Sequence, residues 1–146
     1  MMKAIYLNSK TRSAKREFVI ACANWFIQEL GIKNSRKNLI FVSKKEADFD
    51  VAECWGATTM FENTILVYIN TSLGTERLIQ VIAHEMVHVA QFARGHLKKW
   101  VDESEETVTT WCGRRYDEVD YLELPWEVKA CQEQERLAAG LTELFQ

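Results

Sequence analysis

The sequence contains one proline, six glycines and three histidines among 146 residues. With so few chain breakers there is no compositional linker. The lack of repeats and low-complexity tracts excludes a solenoid, a collagen-like rod and a disordered chain. One domain spanning residues 1–146 is therefore expected. No apolar run approaches the roughly 20 residues needed to cross a bilayer. The apolar opening, residues 1–7, gives way to Asn8 too early for a secretory signal. These absences predict a soluble cytoplasmic protein with no membrane partner. Cys22, Cys54, Cys112 and Cys131 are widely spaced and form no C-x-x-C pair, which argues against a thiolate zinc ribbon. Four buried free thiols in a reducing compartment are expected instead.

What is present is ordinary for a globular domain: 47% hydrophobic and 27% charged residues, with five Trp, four Tyr and seven Phe to fill a core. Charge is uneven. Residues 1–48 carry ten Lys/Arg against four Asp/Glu, and residues 49–146 carry eight against seventeen. The basic half, with Lys10, Arg12, Lys15, Arg16, Lys44 and Lys45, is a candidate surface for nucleic acid or another acidic partner. A solvated face is the plainer reading, because no Arg/aromatic motif accompanies the charges.

Hydrophobic periodicity predicts a strand over residues 3–7. A helix over 13–30 follows, with Phe18, Cys22, Trp25, Phe26 and Leu30 on one face and Gly31 as its stop. Strands are expected at 39–43, 51–60 and 64–70, the last two forming a hairpin. A long helix is expected over 75–94, ended by Gly95. Residues 96–124 are polar and acidic with scattered aromatics, and read as irregular. Pro125 then opens a final helix, since proline suits the first helical turn. This order predicts an α+β domain with helices packed on one side of a small mixed sheet.

The long helix carries His84-Glu85-Met86-Val87-His88, an H-E-x-x-H sequence. Histidines at i and i+4 lie one turn apart on the same helix face, where both imidazoles can bind one ion. Glu85 lies about 100° round the helix from His84, beside the metal without ligating it. The helix is apolar nearly all round, which predicts burial. Its one polar stripe runs through Arg77, Gln80, His84, His88 and Gln91. Two buried imidazoles are costly without partners, and a metal supplies them.

A catalytic zinc takes three protein ligands and leaves one position open, so a third ligand is required. The metzincin continuation fails, because Gln91 and Arg94 stand where that pattern needs Gly and His. On the last helix, Glu127 falls within the apolar face made by Trp126, Ala130, Leu137, Ala138 and Leu141, whereas Glu133, Glu135 and Glu143 fall outside it. A carboxylate pointing inward is paired or ligates a metal. Glu127 is therefore the favoured third ligand. His96, just past Gly95, and the acidic run 102–106 are the alternatives, the run being most simply a solvated loop.

With this motif helix and a later helix bearing a glutamate, the chain resembles small gluzincin-type metallopeptidases, in particular the SprT-like and ImmA/IrrE-like families of bacteria and phages. Glu127-Val128-Lys129-Ala130 matches the E-x-x-A pattern of the latter. The resemblance covers roughly residues 50–146. It implies a minimal zincin-like fold, one Zn²⁺ per chain, peptide-bond hydrolysis, and a bacterial or phage-infected host cytoplasm. The zinc ribbon common in SprT-like proteins is absent, and the spacing from motif to glutamate helix is longer than usual for ImmA/IrrE-like proteins. The ligand scheme and reaction class carry over; a DNA-repair or repressor-cleaving role does not.

The expected chemistry is attack of an activated water on a peptide carbonyl, with Glu85 as general base. Tyr116 or Tyr121 is a candidate donor to the oxyanion, although either also reads as a core-edge aromatic. By analogy with zincins, Trp55-Gly56-Ala57 belongs to an edge strand on which a peptide substrate adds. The competing class is a non-catalytic zinc-containing module that docks a protein or nucleic acid. Such a module has no need of a carboxylate at position 85.

Overall fold

The computed structural model describes residues 1–7, 11–45, 48–49, 55–117 and 119–145. In chain order the elements are β1 (Ala4–Tyr6), α1 (Ser13–Glu29), β2 (Asn38–Ser43), β3 (Gly56–Phe61), β4 (Thr64–Ile69), α2 (Thr75–Ala93), β5 (Leu97–Val101), β6 (Thr107–Trp111), β7 (Arg114–Arg115) and α3 (Pro125–Glu143). Three helices and two sheets make this an α+β protein. Among the described residues no helix is long and apolar enough to cross a membrane.

The first sheet runs β1-β2-β4-β3. β2 is parallel to both β1 and β4, and β3 returns antiparallel to β4, so the sheet is mixed, as expected. Alternate residues bury one face: Leu39 and Phe41 from β2, and Ile65, Val67 and Ile69 from β4. Against that face pack Val19, Cys22 and Phe26 of α1 and Leu78, Ile82 and Met86 of α2. α2 is buried on most of its circumference, as its composition requires. It ends where Gly95 takes φ +76°, a conformation that glycine adopts without a side-chain clash. The strand expected over 51–60 starts at Gly56, one residue after Trp55; residues 51–54 lie outside the described set. Among the described residues β3 is at the sheet edge, alongside α2.

Two expectations are corrected. Residues 96–124 are largely a second, antiparallel sheet, β5-β6-β7. Thr107-Val108-Thr109-Thr110-Trp111 has the β-branched and aromatic content of a strand, and Val108 and Thr110 are buried at alternate positions. The hairpin to β7 turns on Cys112 and Gly113, both at positive φ, as a tight primed turn needs. Cysteine is an unusual occupant of such a turn, so its sequence does not advertise one. The acidic run 102–106 is indeed an exposed turn, with Asp102 Oδ1 accepting the Ser104 and Glu106 amides. The cysteines are not uniformly buried either. Cys22 is buried, and burial pushes its thiol up to about 12, whereas Cys112 and Cys131 are exposed; Cys54 lies outside the described residues.

Candidate metal centre

α3 lies along α2 and begins after a 3-10 turn, Tyr121–Glu123. Its entry is fixed by Trp126, which is buried with its ring 6.5 Å from Trp111 of β6 and 5.6 Å from Tyr116. The second sheet thereby holds the first turn of α3 against α2. The next residue, Glu127, is delivered to the histidines: Glu127 Oε2 is 3.1 Å from His84 Nε2, and Glu127 Oε1 is 2.9 Å from His88 Nε2. These donor atoms lie within 4.8 Å of one another, and the group can hold a metal ion. Ligand atoms held about 2.1 Å from one tetrahedral zinc lie about 3.4 Å apart, so the trio needs only small adjustments.

The outer nitrogens are also engaged. His84 Nδ1 is 2.6 Å from Gln134 Oε1, and His88 Nδ1 is 2.8 Å from Gln91 Oε1. The Gln91 amide orientation follows from its other end, where Nε2 donates to the Trp126 carbonyl at 3.1 Å. Its Oε1 can then only accept, so His88 must carry a proton on Nδ1. In neutral His88 the Nε2 atom is consequently a bare lone pair, facing a carboxylate oxygen. Two acceptors at 2.9 Å repel unless a proton or a cation lies between them. His84 Nε2 and His88 Nε2 converge on this one carboxylate, and the donor chemistry fits a divalent metal.

The electrostatics agree. Burial pulls both histidines down, but Glu127, helped by Glu85, more than offsets it, and both pKa values rise. Burial raises Glu127, yet its two histidine partners outweigh this and hold the carboxyl well below the usual range. Both histidines favour a positive charge at this point, and the carboxylate remains charged.

Glu85 is not one of the three donors. It is buried, and Thr58 Oγ1 of β3 donates to its Oε1 at 2.8 Å. Burial raises its pKa, against opposing pulls from His88, His84 and Thr58. Gly56 makes room for it: a Cβ there would lie 2.9 Å from Glu85 Cγ and from Val81 Cγ1. The backbone of β3 thus runs directly over Glu85.

Two clefts flank the group. One, of about 260 Å³, is lined by Trp55, Gly56, Arg77, His84, Glu85 and Tyr121 among others. The other, of about 240 Å³, includes Lys44, Ala57, Glu85, His88, Lys99 and Glu127. Gly56, Glu85 and Tyr121 border both. No protein-family model, curated protein or solved structure matches this chain.

Of the residues singled out in the sequence, His84, Glu85, His88, Glu127, Trp55, Gly56, Ala57 and Tyr121 come together here. Tyr116 packs on Trp126 and is not among the residues lining either cleft. His96 is exposed, with its ring 6.0 Å from that of Trp111, and is not in the donor group. Thr58, Gln134 and Lys99 were not anticipated. Gln134 did leave a signal, being seven residues after Glu127 and so nearly on the same helix face.

The outer partners give a direct expectation. Gln91→Leu removes the acceptor that keeps the His88 proton on Nδ1. Loss of such a partner typically costs about 10–100-fold in metal affinity. A competitive chelator titration of wild type and variant reads this, and equal affinities would mean Gln91 serves packing alone.

Proposed function

We propose that this protein is a zinc-dependent peptidase of minimal gluzincin type. The observation that carries the reading is Glu85: a buried carboxylate beside a three-donor metal group, outside that group, and opening onto both clefts. A purely structural metal site gives no reason for such a residue. Two imidazoles and one carboxylate suit zinc, and also non-haem iron. The carboxylate base between the two ligands on the helix favours zinc and hydrolysis. Zinc in this position supplies a Lewis acid and lowers the pKa of water to about 7.

The chain's own residues account for the remaining steps. The outer edge of β3 offers backbone groups to an extended peptide, which pairs with it as an added strand. Gly56 lets the β3 backbone, and with it the paired peptide, lie against Glu85. Glu85 takes the proton from the attacking water and hands it to the leaving amine. Thr58 keeps the Glu85 carboxylate turned toward the cleft. Tyr121, which lines both clefts, is our candidate to donate its hydroxyl to the developing oxyanion. Gln134 and Gln91 hold the imidazoles in one tautomer throughout.

The test begins with composition and ends with turnover. Purified protein should contain about one zinc per chain by elemental analysis, which also separates zinc from iron. It should cleave a denatured protein mixture, stop when a chelator strips the metal, and resume on zinc addition. A chain that neither contains nor takes up zinc overturns the reading. A zinc-loaded chain inert on a broad substrate panel points to a docking module instead.

A further inference from the structure

Three cations line the two clefts, beside the carboxylates of Glu85 and Glu127. The sequence has 21 acidic and 18 basic residues, a net charge of -3, yet the walls beside the metal group carry Lys44, Lys99 and Arg77. Among the described residues the ion pairs are His84–Glu127, His88–Glu127, Arg115–Asp117 and Arg136–Glu133. None of the three cleft cations takes part in one. Arg77 is held by the Trp55 ring, 4.5 Å away.

The two lysines enter the His88 side of the cleft from separate sheets. Lys44 immediately follows β2, and Lys99 lies in the middle of β5. The Lys44 ammonium sits 5.1 Å from the ring centre of Phe49 and 5.0 Å from that of Tyr68, so among the described residues cation–π contacts hold it. Among the described residues the acidic groups of this cleft are already occupied: Glu127 between two imidazoles, Glu85 by Thr58. Phe49, Leu97 and Trp126 add apolar surface to the lining. The result is an apolar-walled recess with two cations, next to a site that gains two further positive charges when it holds a divalent metal.

We propose that Lys44 and Lys99 form a carboxylate-binding subsite on the His88 side of the cleft, selecting peptides with a carboxylate close to the scissile bond. This rests on the peptidase reading for its link to cleavage. The carboxylate comes from an Asp or Glu side chain or from a peptide C-terminus. Apolar walls suit the methylenes of such a residue, and the ammonium groups suit its end. Phosphates of nucleic acid are the competing anion. In the basic N-terminal half Lys15 is not available to them, because its ammonium donates to the Thr71 and Leu73 carbonyls.

The experiment measures binding and cleavage separately. Fluorescence anisotropy with zinc-reconstituted full-length Glu85→Gln compares five labelled probes: a Glu-containing peptide amide, its Gln counterpart as the amide, the Gln counterpart as the free acid, a Lys-containing counterpart as the amide, and a single-stranded oligonucleotide. The first or third is expected to bind at least about 10-fold more tightly than the second, and which of the two does so identifies the carboxylate. The advantage should shrink as salt rises from about 50 to about 500 mM, as screening requires. Lys44→Glu/Lys99→Glu should abolish it and turn the preference towards a Lys-containing peptide. Lys44→Gln/Lys99→Gln, the milder change, should abolish it without reversal. Zinc content should be unchanged throughout. Equal binding of all peptides, or a preference that survives both double variants, overturns the subsite. Tighter binding of the oligonucleotide than of every peptide assigns the lysines to phosphates and overturns it too. Cleavage is then read with zinc-loaded wild type. Hydrolysis without acid preference sinks the subsite alone, while acid-selective binding without hydrolysis sinks the peptidase reading alone.

Discussion

Glu85→Gln is expected to keep zinc and fold while losing hydrolysis by about 10²–10⁴-fold, the usual contribution of a positioned general base. The substitution keeps the side chain's shape, so it still fits beneath Gly56, where 2.9 Å separates a would-be Cβ from Glu85 Cγ. It also keeps an oxygen to accept from Thr58, which now donates to Glu85 Oε1 at 2.8 Å. Only the ability to take a proton is removed. Stability should hold or rise slightly, because a buried carboxylate carries a desolvation penalty that an amide avoids. Zinc content, thermal midpoint and cleavage rate, measured on one preparation of each protein, decide the matter. Zinc loss in the variant would place Glu85 among the ligands. Equal cleavage by both proteins would expose another base or a contaminating protease.

Glu127→Ala is expected to lose metal by more than the roughly 10–100-fold that removal of an outer partner costs. Glu127 is the one negative charge that touches both imidazoles, at 3.1 and 2.9 Å. Without it, two neutral nitrogens must hold a dication alone. The contrast is sharpest in thermal melts. Zinc should raise the midpoint of the wild type, since a ligand that binds only the folded state stabilises it by mass action. The same addition should leave Glu127→Ala where it started. Glu133→Ala and His96→Ala serve as controls. Glu133 pairs with Arg136 at the surface, and His96 is exposed beside Trp111. Normal zinc binding by Glu127→Ala, with loss in His96→Ala, would move the third ligand to His96.

The contrast between the two sheets explains what could be read in advance. α1, α2 and α3 were legible because each repeats its apolar residues at helical period and carries a stop or start, Gly31, Gly95 or Pro125. β2 and β4 were legible as apolar runs between turn residues. The β5-β6-β7 sheet was not, because Lys98, Lys99 and Trp100 give β5 no apolar alternation and Cys112-Gly113 is an unusual turn. Its strands are stabilised by pairing with each other, a non-local contact that a local pattern does not register.

The site divides along the same line. The sequence by itself determined that two histidines share a helix face with a glutamate between them, because four residues of one helix are one turn whatever surrounds them. It also determined that Glu127 points inward from the last helix, by the same periodicity. Only the tertiary structure decided that these two faces meet. That depends on Trp126 seated against Trp111 and Tyr116, and on Gln91 reaching the Trp126 carbonyl. Likewise, Thr58 on Glu85, Gln134 on His84, and Lys44 beside Lys99 join residues far apart in the chain. Spacing along a helix is fixed by backbone geometry and can be counted. Proximity between elements is fixed by how side chains fill the space between them, and that is settled only once the whole chain has packed.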